Sequence, residues 1–422
     1  MSAVRSRLLS LFYSCSYHSG KQHGSTLLTT HKMRTAISGT LSTSSFFAWF
    51  VRRAICHHCH HHHPASPKQI RLLLAQTTEK ERLHHCYSSH MPSSSSKAES
   101  DPYKLVHDEM AVLCSNIRNE LGTNQGDLGT ITHYYFDGTG KAFRPLVVLL
   151  MAKACNIHQR AEDFLAESQK KIAMITEMLH TATLIHDDVI DASDTRRGKE
   201  SINYVWGQRK AILAGDYILS IVSSVLARIG NTEVVSIMSQ VVEDLVRGEF
   251  MQLGSKEDKN ERFAHYLNKT FKKTASMLAA SCKSVAVLGQ CSEEVSNTVY
   301  QYGRNLGIAF QLMDDLLDFI SSDLQLGKPT AADLKLGLAT APVLFASQQF
   351  PELNPLIMRR FSEDGDVERA RYLVTKSEGI EQTRLLATEH TKEAIRHLRK
   401  LTTSVPQEAL ISLTLKLLQR QK

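Results

Sequence analysis

The feature that most constrains the fold is a stretch without proline that runs from Leu146 to Lys328. Proline removes a backbone donor and collides with the preceding helical turn, so a stretch of this length without it favours long helices. Apolar residues recur within it at helical spacing, as at Ile172, Ile175 and Leu179. Long alternating strands joined by Asn-Gly or Asp-Gly turns are missing from the sequence. The sequence therefore predicts an all-α fold, a large single-domain helical bundle.

The N-terminal segment differs in composition from the rest of the chain. No Asp or Glu precedes Glu79, whereas residues 1–78 carry nine Lys and Arg. The net charge of +7 therefore belongs to this segment, and the near-neutral remainder disfavours a nucleic-acid binder. A Ser-, Thr-, Arg- and His-rich segment without acids is typical of a mitochondrial transit peptide, whereas a secretory signal would need a cleaner apolar run. We expect a transit peptide and disordered leader over 1–92, a linker over 93–102 and the folded domain over 103–422.

Cysteine and histidine raise the question of a structural metal site. The run CHHCHHHHP contains zinc-ligand residue types, but side by side they do not close a loop as spaced pairs do. We interpret it as low-complexity sequence, with a metal site as the alternative. The cysteines of the folded domain are scattered and are interpreted as free, buried thiols: Cys114, Cys155, Cys282 and Cys291.

Two aspartate clusters repeat one DDxxD spacing, in LIHDDVIDASDTRRG and AFQLMDDLLDFI. Their members are Asp187, Asp188, Asp191, Asp314, Asp315 and Asp318. On a helix, residues four apart lie on one face. A solvated helix face is the usual explanation of such charges, but apolar sequence surrounds both clusters, so the carboxylates need a positive counterweight. Mg²⁺ is the natural candidate, because it combines a few carboxylates with water and substrate phosphates.

Cationic residues near the clusters indicate a diphosphate ligand. Arg196 and Arg197 follow the first cluster directly, and the arginine side chain offers a planar fork for phosphate oxygens. Upstream, GTGKAFRP combines a glycine that permits close backbone approach with two cations three residues apart, although such a pair can simply be solvated. The further candidates are Lys273 and Thr274 in KKTAS and Lys328 in GKPTAADLK.

These motifs together resemble the trans-isoprenyl diphosphate synthases, from about Tyr103 to the C-terminus. DDVID and DDLLD occur with GKAFRP, RRG, KT, FQ and GKPT in the order and spacing of that family. The resemblance implies a bundle of the isoprenoid synthase type with a central active-site cavity. Within the family, DLVRGEF, KTFKKTAS and GKPTAADLKLGLAT look most similar to the catalytic subunit of mitochondrial all-trans-polyprenyl (decaprenyl-type) enzymes, which make the ubiquinone side chain.

The resemblance also implies substrates and residue roles. The six aspartates would be catalytic and would bind Mg²⁺, three ions when substrate is present. The allylic substrate, farnesyl or geranylgeranyl diphosphate, would be held by Arg196, Lys273, Thr274, Gln311 and Lys328, with Gln252 a weaker candidate. Isopentenyl diphosphate would lie against Gly140, Lys141, Arg144, His180 and Arg197. Without the resemblance, His180 is a core histidine whose hydrogen bonds are satisfied.

Product length and one departure from the family follow from neighbouring positions. Ala182 and Thr183 lie one turn before Asp187, where short-chain members tend to carry a bulky aromatic floor, so small residues imply a long product. The alternative is that Ala182 serves ordinary helix packing. Ala192 stands where related enzymes often carry another acid, and Asp194 is expected to take over part of that role.

Two other functions remain as alternatives. A terpene cyclase also ionises allylic diphosphates but needs no isopentenyl diphosphate site. A non-catalytic partner subunit should have lost aspartates that are intact here. The resemblance implies instead a catalytic subunit in a hetero-oligomer, a heterotetramer, with a second, motif-poor synthase subunit. We expect no transmembrane helix, and a location in the mitochondrial matrix with peripheral contact to the inner membrane.

Overall fold

The structure is a computed structural model that describes residues 101–122, 126–138, 140, 142–160, 163–253, 259–320 and 331–420. The predicted leader, the poly-His run and nearly all of the linker lie outside the described residues, as do Lys141 and Lys328. Within the described ranges the chain is almost entirely helical, and its only strands form a two-residue ribbon. The predicted all-α helical bundle is confirmed.

The helices are numbered here in chain order. They are α1 (His107–Leu121), α2 (Gly126–His133), α3 (Phe143–Arg160), α4 (Glu167–Ile190), α5 (Ile202–Trp206), α6 (Gln208–Ile229), α7 (Thr232–Leu253), α8 (Lys259–Thr270), α9 (Ser276–Leu288), α10 (Glu293–Ile320), α11 (Ala332–Lys335), α12 (Ala341–Gln349), α13 (Leu353–Met358), α14 (Asp366–Lys376), α15 (Gly379–Leu398) and α16 (Val405–Leu417). A 3₁₀ turn, Lys104–Val106, precedes α1, and a π-helical turn, Phe271–Ala275, joins α8 to α9.

The centre of the bundle is α9, which is buried along most of its length and packs against α3, α4, α7 and α10. Two glycines on α10 permit its close approach to this central region. A Cβ on Gly303 would lie 2.6 Å from the carbonyl oxygen of Leu278, and one on Gly307 would lie 2.5 Å from the Cα of Ala275. A side chain at either position would push the helices apart and disturb close packing. This contact holds the helix that carries the second aspartate cluster.

The first aspartate cluster lies at the C-terminal end of α4, where the chain leaves the bundle and returns. The amide of Asp191 still donates to the carbonyl of Asp187 at 2.8 Å. Strands β1 (Thr195–Arg196) and β2 (Lys199–Glu200) then pair antiparallel. Arg197 (φ 53°) and Gly198 (φ 78°) both adopt the left-handed conformation that favours a two-residue hairpin turn. The hairpin brings Arg196 back over the end of α4.

The π-helical turn widens the chain at the KKTAS motif. The amide of Ser276 donates to the carbonyl of Phe271, five residues earlier, instead of four. Insertions of this kind are frequent at functional sites. Here the turn carries Lys273, which faces the first aspartate cluster, and Thr274, which bonds to α10.

One described helix, α6, is long and apolar enough to span a membrane by length and composition, with about a third of it buried. This is a difference from the expectation of no such segment. The buried side of α6 packs along α4 and includes Ala211, Ala214, Ile218 and Val222. The helix is therefore a member of the bundle whose opposite face is also partly apolar.

The four cysteines of the described ranges are free thiols. Cys155 and Cys282 are buried, whereas Cys114 and Cys291 are only partly buried. The prediction of free thiols is confirmed, and the prediction of burial holds for two of the four.

Candidate active site

Asp188 forms the buried anchor of the first cluster. Its side chain is 1% exposed and accepts a hydrogen bond from Arg196 Nε at 2.8 Å, with a second from Arg196 Nη2. The Tyr135 hydroxyl lies 3.2 Å from the other carboxylate oxygen and donates to it. Because charge-assisted bonds of this kind are strong, Asp188 and Arg196 tie the ribbon to the end of α4.

Asp187 and Asp191 have a different environment from Asp188. Burial raises the pKa of Asp187 to about 7 against the opposing charge of Lys273, and the charges of Glu249 and Asp191 add to the rise. Burial also raises the pKa of Asp191. For both carboxyls, burial outweighs the opposing charges of Lys273 and Arg196, and a further cation between them would favour the ionised forms.

Lys273 is the cation that most strongly opposes the rise in the pKa values of Asp187 and Asp191. Two residues of α7 hold it in place. It forms an ion pair with Glu249, and its Nζ donates to Gln252 Oε1 at 3.2 Å. Glu249 was not singled out in the sequence, although it lies in the quoted stretch DLVRGEF. Together, Glu249 and Gln252 position the ammonium of Lys273 opposite the end of α4.

The second cluster also contains one buried anchor, Asp315, which is 3% exposed. The Tyr266 hydroxyl donates to Asp315 Oδ2 at 2.5 Å, and Gln311 Nε2 donates to Oδ1 at 2.8 Å. Thr274 Oγ1 in turn donates to Gln311 Oε1 at 2.9 Å. Burial raises the pKa of Asp315, whereas these hydrogen bonds oppose the rise. The network therefore connects the π-helical turn to α10.

The other two aspartates of the second cluster have separate partners. Arg420 Nη1 donates to Asp314 Oδ1 at 3.0 Å, yet burial still raises the pKa of Asp314 to about 6. Asp318 accepts the amides of Ala332 at 3.1 Å and Asp333 at 3.3 Å, so it caps the short helix α11. The segment that carries Lys328 joins α10 to α11 and lies outside the described residues.

A basic site lies beside the two clusters, around Arg144 and His180. Arg144 Nη1 lies 2.9 Å from His180 Nε2. Burial lowers the pKa of His180 well below its usual range, and the positive charges of Arg144 and Arg197 lower it further. A neutral His180 accepts the hydrogen bond from Arg144 through Nε2. Glu177, one turn earlier on α4, is buried, and the charges of Arg144 and Arg197 oppose the rise in its pKa that burial causes.

Arg197 reaches this basic site across a glycine. A Cβ on Gly140 would lie 2.8 Å from Arg197 Nη1, so a side chain at this position would displace the guanidinium. The structure thus brings together, from three separate parts of the chain, Gly140 and Arg144, His180, and Arg197. Lys141 follows Gly140 and lies outside the described residues.

Arg144 also connects the basic site to the second cluster. The charge of Asp314 acts on Arg144 and opposes the lowering of its pKa by burial. The guanidinium carbon of Arg144 lies 5.7 Å from the ring centroid of Phe310, and that of Arg420 lies 4.5 Å from it. Residues from α3, α4, α10 and the C-terminus therefore surround one region of the bundle.

The two positions implicated in product length carry no bulky group. Ala182 is buried, and the Thr183 hydroxyl donates to the carbonyl of His180 at 2.8 Å, within its own helix. No aromatic ring therefore projects from either position. Their effect on product length stays a prediction.

Comparisons with known proteins place this geometry in a family. The family model for polyprenyl synthetase matches residues 126–374. The chain is 58% identical over 330 residues to the all trans-polyprenyl-diphosphate synthase of Mus musculus, covering 78% of this chain and 81% of that protein. The chain belongs to the polyprenyl synthetase family. A probable mitochondrial hexaprenyl pyrophosphate synthase of Neurospora crassa is 42% identical over 368 residues, covering 76% and 82% of the two chains.

A solved structure confirms the fold of this polyprenyl synthetase. The polyprenyl synthase of Caulobacter crescentus, solved in complex with calcium and isoprenyl diphosphate, aligns with a TM-score of 0.69. It is 29% identical to this chain, and the alignment covers 78% of this chain and 100% of the Caulobacter crescentus chain. The predicted bundle of the isoprenoid synthase type is therefore confirmed, and the chain is a prenyl-transferring enzyme that uses isoprenoid diphosphates.

The carboxylates of this polyprenyl synthetase fit a divalent cation whose other ligands are water and substrate phosphate. Among the described residues, no three His, Cys, Asp or Glu side chains form a ready-made metal site. Asp187 on α4 and Asp314 on α10 are instead partly buried carboxyls with raised pKa values. Mg²⁺ keeps several waters and binds through one or two carboxylates together with substrate phosphates, which suits this arrangement.

Several residues of this region were not singled out in the sequence. They are Tyr135, Glu177, Glu249, Tyr266, Lys269, Asp333 and Arg420. Asp333 lies in the quoted stretch GKPTAADLK, and burial together with the charges of Asp315 and Asp318 raises its pKa to about 8. For Tyr135 and Tyr266, a lone tyrosine in a helical sequence gives no signal of its hydrogen bond.

Proposed function

We propose that this polyprenyl synthetase is the catalytic subunit of an all-trans-polyprenyl diphosphate synthase of the decaprenyl type. It condenses isopentenyl diphosphate repeatedly onto an allylic diphosphate, farnesyl or geranylgeranyl diphosphate, to make the ubiquinone side chain. The observation that carries this proposal is the combination of two aspartate clusters, each with one buried member, and a separate basic site around Arg144 and His180. The aspartate clusters suit a diphosphate that is bound together with metal ions, and the basic site suits a second diphosphate.

The six aspartates of the two clusters would hold Mg²⁺, three ions when substrate is present: Asp187, Asp188 and Asp191 from α4, and Asp314, Asp315 and Asp318 from α10. Mg²⁺ would supply Lewis-acid stabilisation of the diphosphate leaving group. Asp188 and Asp315 are the most deeply buried of the six, so they would in addition position their clusters. Asp188 fixes Arg196 at the end of α4, and Asp315 fixes Gln311 and the π-helical turn.

The allylic diphosphate would lie between the clusters, against residues with free donor capacity. Lys273 donates one hydrogen bond to Gln252, and an ammonium has three donors, so it can also donate to a phosphate oxygen. Thr274 and Gln311 line the same side through the network with Asp315. Arg196 would contribute a guanidinium N–H that Asp188 leaves open. Lys328 remains assigned to this site on the sequence motif alone.

Isopentenyl diphosphate would lie in the basic site, against Gly140, Lys141, Arg144, His180 and Arg197. Arg144 and His180 are partly buried, so a charge-assisted bond to phosphate is stronger there than at the open surface. The double bond of isopentenyl diphosphate would attack the first carbon of the allylic group as its bond to diphosphate oxygen breaks. The proton then lost from isopentenyl would pass to the released pyrophosphate. No side-chain nucleophile is required.

A partner subunit would cover an apolar face formed by α6 and α7. Leu213 is 63% exposed and Phe250 is 72% exposed, and Ile212 and Val246 are exposed beside them in the sequence. Contiguous exposed apolar residues of this kind mark interaction sites. Because α6 packs on α4, which carries the first cluster, a partner bound to this face would stabilise the position of α4 in the active site. We propose a hetero-oligomer, a heterotetramer, with a second, motif-poor synthase subunit.

The proposed location is the mitochondrion, on the matrix side, with peripheral contact to the inner membrane. The acid-free segment before Glu79 supports import, and the related Neurospora crassa protein is named as mitochondrial. We keep the proposed boundaries at 1–92 for the transit peptide and leader, 93–102 for the linker and 103–422 for the synthase domain.

A product assay tests the proposal. The chain is supplied with farnesyl diphosphate, labelled isopentenyl diphosphate and Mg²⁺, alone and with candidate partner subunits. Long labelled polyprenyl diphosphates are expected, and Asp187→Ala should abolish them. Product from the chain alone would refute an obligatory partner. If no combination consumes isopentenyl diphosphate, the proposed function is wrong.

A further inference from the structure

Lys269 is a cation in this region that the roles above leave unexplained. It lies at the end of α8, four residues before Lys273. Burial lowers the pKa of Lys269, the charge of Asp315 opposes this effect, and the charge of Lys273 adds to it. A largely buried ammonium is unfavourable unless it has a partner. Its position therefore requires an explanation.

Within the described ranges, Lys269 has neither a hydrogen bond nor an ion pair. The ammonium faces the ring of Tyr266, whose centroid lies 5.7 Å from Nζ. The charges of Asp315 and Asp333 act on the ammonium, but neither carboxylate binds it. Asp315 instead accepts from Tyr266 and Gln311. The three donors of the ammonium are thus available to a ligand.

A cavity beside Lys269 shares one residue, Gln252, with the proposed allylic diphosphate site. Lys269 lines this cavity together with Gln252, Tyr266, Leu338 and other residues. Gln252 is also the residue that accepts a hydrogen bond from Lys273. The cavity therefore extends from Lys269 to the group that holds Lys273. Lys269 and Lys273 carry like charges one helical turn apart. Glu249 pairs with Lys273, but no carboxylate of the described residues pairs with both lysines.

We propose that Lys269 is a further binding residue for the allylic diphosphate, acting beside Lys273. This inference rests on the proposed function. A diphosphate carries several negative oxygens, so it can accept from Lys269 and Lys273 together and remove the repulsion between them. The alternative is that Lys269 serves only as a counter-charge for Asp315 and Asp333.

The two possibilities differ in their effect on ligand binding. If Lys269 binds phosphate, Lys269→Met should weaken the binding of inorganic pyrophosphate in the presence of Mg²⁺ by about tenfold or more. The same variant should raise the KM for the allylic diphosphate and leave the KM for isopentenyl diphosphate close to the wild-type value. Lys269→Arg, which keeps the charge, should recover most of the affinity.

Titration calorimetry with Mg²⁺ and inorganic pyrophosphate measures this directly on the full chain. Lys283→Met is the matched control, because Lys283 is likewise partly buried and donates to Asn297 Oδ1, at 3.3 Å, away from both aspartate clusters. Equal pyrophosphate affinity in Lys269→Met and wild type would overturn the inference. Isopentenyl diphosphate consumption by the wild-type enzyme is assayed separately, so failure of the proposed function is recognised independently.

A second measurement uses the wild-type protein and does not depend on the folding of a variant. Lysines are acylated with acetic anhydride, with and without Mg²⁺ and pyrophosphate, and quantified by mass spectrometry. Protection of Lys269 and Lys273, relative to Lys283, supports the inference. Protection of Lys273 alone contradicts it.

Discussion

Replacement of Asp187 by asparagine should stabilise the metal-free protein. The pKa of Asp187 is raised from 3.8 to about 7 because the carboxyl is buried. A folded-state pKa above the unfolded value means that the native state binds the proton more tightly, so the free energy of unfolding falls as pH rises through this interval. The full shift corresponds to about 4 kcal/mol, at about 1.4 kcal/mol for each unit.

The gain from the substitution should be smaller than this limit. Asp191 and Glu249 contribute to the same pKa shift, and their mutual repulsion remains after the substitution. In addition, Lys273 loses its favourable interaction with the charge of Asp187. We expect Asp187→Asn to raise the free energy of unfolding by about 1–3 kcal/mol at pH 8. At pH 4 the gain should nearly vanish, because a protonated aspartate and an asparagine are both neutral.

Urea unfolding with a chelator of divalent cations measures this difference at both pH values. Asp364→Asn is the control, since Asp364 is exposed. A variant that is no more stable than wild type at pH 8, or equally stabilised at pH 4 and pH 8, would refute the reasoning. Added Mg²⁺ with pyrophosphate should stabilise the wild type more than the variant, since a ligand that binds only the native state raises its stability.

Three further predictions test other parts of the structure. Arg144→Lys should raise the KM for isopentenyl diphosphate by about tenfold, because the planar fork is lost, and an equal rise for the allylic substrate in steady-state kinetics would contradict the assignment. His390 is buried against Asn305, at 2.8 Å, with a pKa lowered to about 4, so this histidine should contribute a loss of about 2 kcal/mol on acidification from pH 7.5 to 5, which offsets part of the gain from carboxyls such as Asp187. Urea unfolding of His390→Gln should lack that loss, and an unchanged pH dependence would show another cause. Phe250→Asp should abolish co-purification with a partner subunit while leaving the helical circular dichroism intact, and a retained complex would place the interface elsewhere.

The bundle and both aspartate clusters could be predicted from the sequence because their signals are local. A long stretch without proline and apolar residues at helical spacing are enough to identify long helices. The DDxxD spacing places Asp187 and Asp191 on one helix face. The same logic covers His180, which lies on the helix of the first cluster and is found beside Arg144.

The division of labour within each cluster could not be predicted, because it depends on residues far apart in the chain. Adjacent aspartates look equivalent in sequence, yet Asp188 is anchored by Arg196, and that contact depends on the hairpin turn at Arg197. Asp315 is anchored by Tyr266, which precedes it by 49 residues. Only tertiary packing decides which carboxylate acquires such a partner. For this reason Glu249 and Lys269 also gave no recognisable signal.

The shifted pKa values of this region have one common explanation. Asp187 and Asp314 have raised pKa values, whereas Lys269 and His180 have lowered ones, and all belong to one region of the bundle. A fold arranged for stability alone would pair acids with bases at this range. A metal ion alone would stabilise the ionised acids but repel the cationic groups. A diphosphate alone would stabilise the cationic groups but repel the acids. A metal–diphosphate complex relieves both, so each component should strengthen the binding of the other, and by thermodynamic reciprocity by the same factor.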